Sequence, residues 1–163
     1  MKITPDIKGN KLHIGCGYIL FKDFINIDIA GEPLKPDMIV NIENGLPFPD
    51  NYFSHIFSSH VLEHVKPDKF HFVLEEIYRV AKPNCILELH LPYDRISMRT
   101  ALDHYRTFNW KSFENCEAGN RRNYYINFKV KRLNKMPNKF IRVLSQFFPM
   151  FFTDVYFKFR IIK

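Results

Sequence analysis

Apolar positions along this chain change their spacing several times, and each change marks an element. "KLHIG" (11–15) is a short apolar run ending in glycine and reads as a buried strand. "FINIDI" (24–29) alternates apolar and polar, the period of a strand, and carries Asp28 near its end. "PDMIVNI" (36–42) predicts a third strand, and "YFSHIFSSH" (52–60) a fourth after the loop "ENGLPFPDN". The spacing then becomes helical: in "PDKFHFVLEEIYRVAKP", Phe70, Val73, Leu74, Ile77 and Val80/Ala81 fall on one face. Pro67 suits the first turn and Asp68 the positive end of the helix dipole. Pro83 stops the helix, and Asn84 tolerates the left-handed backbone of a helix exit. "CILELHLPY" (85–93) is apolar enough for a central parallel strand.

Beyond residue 94 the pattern loosens. Residues 95–120 are polar and studded with aromatics, with a short helix expected near 110–117. "RRNYYINFKVKRL" (121–133) reads as a strand. "PNKFIRVLSQFF" (137–148) has helical spacing at Phe140, Leu144 and Phe147, a stripe expected to pack inward. "DVYFKFRIIK" (154–163) is a last strand, able to pair antiparallel with 121–133. Strands with an interposed helix predict an α/β fold whose sheet is mostly parallel, with ligands beyond the carboxyl ends of the strands.

The 163 residues suit one domain, and 46 % apolar with 16 % aromatic content excludes a disordered chain. Cys16, Cys85 and Cys116 are odd in number and form no Cys-x-x-Cys pair, so a reducing, cytoplasmic setting is expected. "MKITPDIKGNK" lacks the apolar core of a signal peptide, and no apolar run reaches the roughly 18 residues of a spanning helix. The net charge of +7 is uneven. Residues 1–120 carry 13 Lys/Arg against 16 Asp/Glu, whereas residues 121–163 carry 11 against Asp154 alone. That basic tail either meets an anionic partner or is a solvated surface.

Gly15 and Gly17 at the tip of the first strand allow a tight turn and close approach of a ligand to the backbone. Asp28, ending the next strand, is placed to bond the hydroxyls of a ribose. A dinucleotide site needs a third glycine, a full helix and an acidic residue about 20 positions on. Here only ten residues separate Gly17 from Asp28. A ligand with a ribose and no pyrophosphate fits better.

"LHIGCG", "FINIDI", "LPFPDNYFSHIFSSHVLEHV" and "EEIYRVAKPNCILELHLP" occur in order and together resemble the motifs of small class I S-adenosylmethionine-dependent methyltransferases, of the type 11 kind. The resemblance covers roughly residues 11–93. It implies a Rossmann-like, mostly parallel seven-stranded sheet with an antiparallel C-terminal strand pair, flanked by helices. It further implies a single methyltransferase domain over 1–163: a cofactor core (11–93), a substrate-rim segment (94–120) and a basic strand-helix-strand (121–163). The cofactor would be S-adenosyl-L-methionine and its product S-adenosyl-L-homocysteine. Gly15, Cys16 and Gly17 would line its methionine part and Asp28 its ribose. Asn41, where relatives usually carry Asp, and Ile42 would meet the adenine. Ser59 and His60 would face the methionine end and the substrate opening. Tyr18 in place of a third glycine, His55 in place of Asp and "KPNC" in place of Lys-Pro-Gly-Gly depart from the pattern, the last two in ways that read as structural.

Catalytic candidates are fewer, because methyl transfer mainly needs an aligned nucleophile and a proton acceptor. In "ALDHYRTF" (101–108), Asp103 and His104, adjacent to Tyr105 and Arg106, offer a general base and an anion contact, since histidine titrates near neutrality. His60 and His64 serve either there or in packing a helix start, and His90 reads as a core or rim residue. No second His or carboxylate stands at a clear ligand spacing, so no metal site is expected. The expected acceptor is a small molecule or glycan. Single-stranded RNA is the alternative, with Tyr124, Tyr125 and Phe128 stacking among the cations of the tail. A non-catalytic, cofactor-binding partner subunit is a third reading. Lys139 and Arg142 beside an apolar face leave peripheral membrane contact open. The short stretch before the first strand leaves the site open or closed by a second copy, as in a homodimer.

Overall fold

In the computed structural model, which describes residues 9–94, 101–118, 127–147 and 153–163, seven strands form one sheet. They are β1 (Lys11–Ile14), β2 (Ile25–Asp28), β3 (Met38–Ile39), β4 (Phe53–Ser59), β5 (Ala81–Pro92), β6 (Val130–Arg132) and β7 (Asp154–Ile161). Their order is β3-β2-β1-β4-β5-β7-β6. The first five pair in parallel, and β7 pairs antiparallel with both β5 and β6. Chain order reverses between β1 and β4, so the strand tips diverge there and open a crevice. This is the expected sheet, including its antiparallel C-terminal pair.

Alternation decides which face is dry. Leu12 and Ile14 of β1 register with Ile25 and Ile27 of β2 and with Ile56 and Ser58 of β4, and all six are buried. Helix α1 (Phe70–Val80) adds Val73, Leu74, Ile77 and Val80 to the same core. The intervening positions carry polar and aromatic groups. His13 stacks on Phe21 with centroids 4.4 Å apart, and His55 Nε2 lies 3.2 Å from Glu88 Oε1. Burial pushes the His13 imidazole below its ordinary value, more than its hydrogen bond to Asn26 lifts it.

Several elements differ from their expected extents. β3 keeps two residues, because the Asn41 side chain accepts the Glu43 N–H and turns the chain into a 3₁₀ helix at Ile42–Asn44. α1 starts at Phe70, with Pro67 in the turn before it, and ends at Val80 on an extended Ala81, three residues before Pro83, so Asn84, at φ +65°, lies within β5 and not at the helix exit. The helix expected near 110–117 reduces to a 3₁₀ turn at Glu114–Cys116. Of the strand expected over 121–133, Val130–Arg132 is seen, and Tyr124 and Tyr125 lie outside the described residues. Phe128 is fully buried in the core, so it cannot stack on a base.

The tail helix exists as α2 (Lys139–Phe147), yet its apolar stripe does not pack inward. Phe140 is 73 % exposed, and Ile141, Val143 and Leu144 are exposed beside it. The helix is held by a polar residue instead: Ser145 is fully buried and its Oγ lies 2.7 Å from Tyr93 Oη. The Phe147 side chain and residues 148–152 lie outside the described residues. Among the described residues no helix is long and apolar enough to cross a membrane.

Candidate functional site

The turn after β1 is latched to β2. The N–H groups of Gly15 and Cys16 both donate to Ile27 O, at 2.9 and 3.1 Å. Gly15 has φ +69°, and a Cβ there would stand 2.1 Å from Val61 Cγ2. Only glycine permits this approach of the β1 tip to the segment after β4. Gly17, at φ +51°, donates its N–H to Asp28 Oδ2 at 2.9 Å. Asp28 Oδ1 accepts the Ala30 N–H at 3.1 Å. The carboxylate thus ties the glycine turn to the tip of β2 and still faces the crevice.

That crevice holds a cavity of about 660 Å³, a size usual for small-molecule and cofactor sites. Gly15, Gly17 and Asp28 line it from the β1 and β2 tips, Asn41 and Ile42 from beyond β3, and Ser59 and His60 from the end of β4. Cys16 does not: it is 3 % exposed and lines a smaller cavity with His13 and Phe57. Burial, then the nearby Asp28 charge, pushes its thiol up, which makes it a packing residue rather than a nucleophile.

The wall beyond β3 is braced by α1. Glu76 Oε2 accepts the Leu46 N–H at 2.8 Å and the Arg79 guanidinium at 2.8 Å. Arg79 donates onward to Leu46 O, Phe48 O and Asp50 Oδ1. The Arg79 hydrogen bond above all holds the Glu76 carboxyl below its ordinary value. "LPF" and "EEIYR" are therefore two halves of one clamp that holds the loop after Asn41 and Ile42.

The rim is built from two segments about 40 residues apart. Tyr105 N–H donates to Glu63 O at 2.8 Å, and Arg106 Nη2 to Val65 O at 3.3 Å, with its guanidinium 3.5 Å above the Phe70 ring. Asp103 and His104 are thereby brought against the turn Leu62–His64, although neither lines the cavity; Tyr105 and His64 do. Asp103 does not partner His104 as a base pair would. His64 Nδ1 lies 2.9 Å from Asp103 O and 3.5 Å from Asp103 Oδ2, and the His64 and His104 rings meet edge to face at 4.8 Å.

His60, at φ +54°, sits between two carboxylates: Nδ1 is 3.2 Å from Glu63 Oε1 and Nε2 is 3.2 Å from Asp154 Oδ1. Glu63 is fully buried. Glu63 escaped the sequence reading. The spacing of His60, Glu63 and His64 at i, i+3 and i+4 was the signal available, because one helical turn gathers such positions on one face.

The residues present fit a nucleoside cofactor carrying an amino-acid arm. Close-approach glycine backbone stands at one part of the cavity, a carboxylate at the next strand tip, and an apolar wall with an amide beyond it.

Residues 12–89 match the methyltransferase-domain family. No curated protein sequence matches the chain significantly. Among solved structures, an S-adenosylmethionine-dependent methyltransferase from Archaeoglobus fulgidus is similar over 95 % of this chain and 86 % of its own, with a TM-score of 0.63 and 18 % identity. The 1,6-didemethyltoxoflavin-N1-methyltransferase of Burkholderia thailandensis, solved with 1,6-didemethyltoxoflavin and S-adenosylhomocysteine, is similar over 96 % of this chain and 72 % of its own. Its TM-score is 0.62 at 12 % identity. A methyltransferase in complex with the Trm112 activator of Haloferax volcanii gives 0.61 at 14 % identity, over 96 % and 84 %. At these identities the likeness is one of fold.

Proposed function

We propose that this class I, S-adenosylmethionine-dependent methyltransferase, recognised by its domain match over residues 12–89 and by its fold, delivers its methyl group to a small-molecule acceptor at the rim beside His60. One observation carries the reading: a single cavity of about 660 Å³ at the strand-order reversal joins Gly15, Gly17 and Asp28 to Ser59 and His60. The bound cofactor supplies an activated methyl group on a sulfonium. Asp28 accepts from the ribose hydroxyls while its backbone bonds hold the glycine turn. Asn41 offers its amide to the adenine edge, with Ile42 as the apolar floor. Backbone groups of Gly15 and Gly17 hold the methionine arm, and Ser59 limits it at the end of β4.

An acceptor entering past Tyr105 and His64, which line the cavity, would be held against the cofactor, and alignment would supply most of the rate. His60 takes the acceptor proton. Glu63 lies beside Nδ1, the place of the aspartate in a serine-protease triad, and the acceptor would displace Asp154 from Nε2 to hand over its proton. The pair Asp103 and His104 acts behind this rim rather than as the base itself. In the Burkholderia enzyme the fold accommodates a small heterocycle beside S-adenosylhomocysteine, which supports an acceptor of that size here.

Calorimetry with S-adenosylhomocysteine tests the cofactor half, with 1:1 binding expected for the wild type. Methyl release from labelled S-adenosylmethionine over a panel of hydroxyl and amine acceptors tests the rest. Activity that survives unchanged in His60→Ala would remove His60 as the proton acceptor.

A further inference from the structure

We propose that Glu63, His64 and His104 hold a divalent first-row transition-metal ion beside the acceptor rim. One ligand atom from each of these three side chains lies within 4.8 Å of the others. Four-coordinate zinc would draw these atoms to a spacing of about 3.4 Å.

Glu63 is the independent pointer. It is fully buried, and neither carboxylate oxygen makes a hydrogen bond among the described residues. Oε1 lies 3.2 Å from His60 Nδ1, an ion pair only when that ring is protonated, Oε2 has no hydrogen-bond partner, and no Lys or Arg pairs with the carboxylate among the described residues. A buried carboxylate without hydrogen bonds is costly unless a cation meets it. His104 repeats the pattern: its Nδ1 is buried and also lacks a hydrogen-bond partner. Buried groups without hydrogen bonds, converging from two segments, are what an ion would satisfy.

His64 is set as a metal-ligating histidine is set. Asp103 O can only accept, so His64 Nδ1 carries the proton at 2.9 Å and Nε2 keeps its lone pair. A carbonyl behind the ring in this way fixes the tautomer and orientation of ligand histidines. The Tyr105 N–H to Glu63 O bond holds the two segments together without using any candidate ligand atom.

Two nitrogens and one oxygen suit zinc, manganese or iron better than magnesium, which prefers oxygen donors and its own waters. Three protein ligands leave open positions, and His64 lines the cavity. An acceptor hydroxyl taking such a position becomes easier to deprotonate. Its proton passes to His60, its oxygen bonds the methyl carbon, and the carbon–sulfur bond breaks with its electron pair left on sulfur. This last step rests on the methyltransferase reading; the ion site does not.

Protein stripped with EDTA and dialysed is titrated with Co²⁺ alone, by calorimetry and visible absorption. One equivalent with a ligand-field band is expected. Glu63→Gln, which keeps side-chain size, and His104→Ala should each weaken binding by at least about 100-fold, more than loss of an outer partner costs. Circular dichroism and S-adenosylhomocysteine binding confirm that each variant is folded. Absence of saturable Co²⁺ binding by the folded wild type, or wild-type affinity in both variants, overturns the site. Cofactor binding without Co²⁺ binding sinks the ion alone; Co²⁺ binding without cofactor binding sinks the methyltransferase reading and leaves the ion standing.

Discussion

Replacing Asp28 by alanine separates two roles that the structure gives to one carboxylate. In the folded chain its oxygens accept the N–H groups of Gly17 and Ala30, at 2.9 and 3.1 Å. Both donors lie near solvent and regain water when the carboxylate is gone. The loss is then a net hydrogen-bond value for each, about 1–3 kcal/mol in all. For a chain of this length that lowers Tm by about 2–12 °C. If the same carboxylate also accepts from a ribose, cofactor affinity falls by a further about 1–3 kcal/mol, the cost of leaving those hydroxyls badly paired. That is about 5- to 150-fold in Kd. Asp28→Asn keeps one acceptor and the side-chain shape, so it should recover part of the Tm and little of the affinity. Thermal melts without ligand and calorimetry with S-adenosylhomocysteine read the two quantities apart. A variant with lowered Tm and unchanged Kd would make Asp28 a latch only and would refute the placement of the ribose.

The glycine turn offers a paired test. Gly15→Ala combines the strain of φ +69°, about 1–2 kcal/mol, with a contact of 2.1 Å to Val61. Gly17→Ala has φ +51° and open space, so it should cost only the strain; equal losses in Tm would contradict this geometry. Because Glu76 has a folded pKa held below its unfolded value, its clamp stabilises the chain above about pH 4.5 and loses that contribution as pH falls through the lower folded pKa. Glu76→Gln should therefore melt lower than wild type at pH 7, with the gap narrowing in acid melts; a gap independent of pH would refute the clamp. All three thiols are buried and pushed up, Cys85 to about 12, so a thiol reagent should label them only as fast as the fold opens. Fast labelling of Cys16 in the native chain would refute its burial.

The elements that the sequence announces clearly are those in which local pattern and tertiary need agree. α1 combines helical apolar spacing with Pro67 in the turn before it, and its buried side is the expected one. β3 shows the opposite case. "MIV" has strand character, but the Asn41 side chain captures the Glu43 N–H two residues on and ends the ladder at Ile39. In α2 the period was correct and the facing was not. Spacing tells which residues share a side, never what that side meets, and here a buried Ser145 on Tyr93 sets the orientation.

The same distinction runs through the site. At the proposed cofactor end, the geometry is set by backbone: positive φ at Gly15 and Gly17, and one carboxylate that receives the turn. Such demands restrict the residue type, so they leave a readable mark in "GCG" and in Asp28. At the proposed acceptor end the side chains are joined across distance. Asp103 and His104 stand beside each other in the chain and read as a pair, yet the structure divides them, one carboxylate toward His64 and one ring against it. What decides this is a backbone bond from Tyr105 to Glu63, and backbone bonds between distant segments carry no residue signature. The proposed cofactor residues are therefore legible from spacing in a short stretch. The Glu63 carbonyl that anchors the rim becomes visible as a contact only once the fold has brought residue 63 and residue 105 together, and it is at this rim that the acceptor proposed above would be chosen.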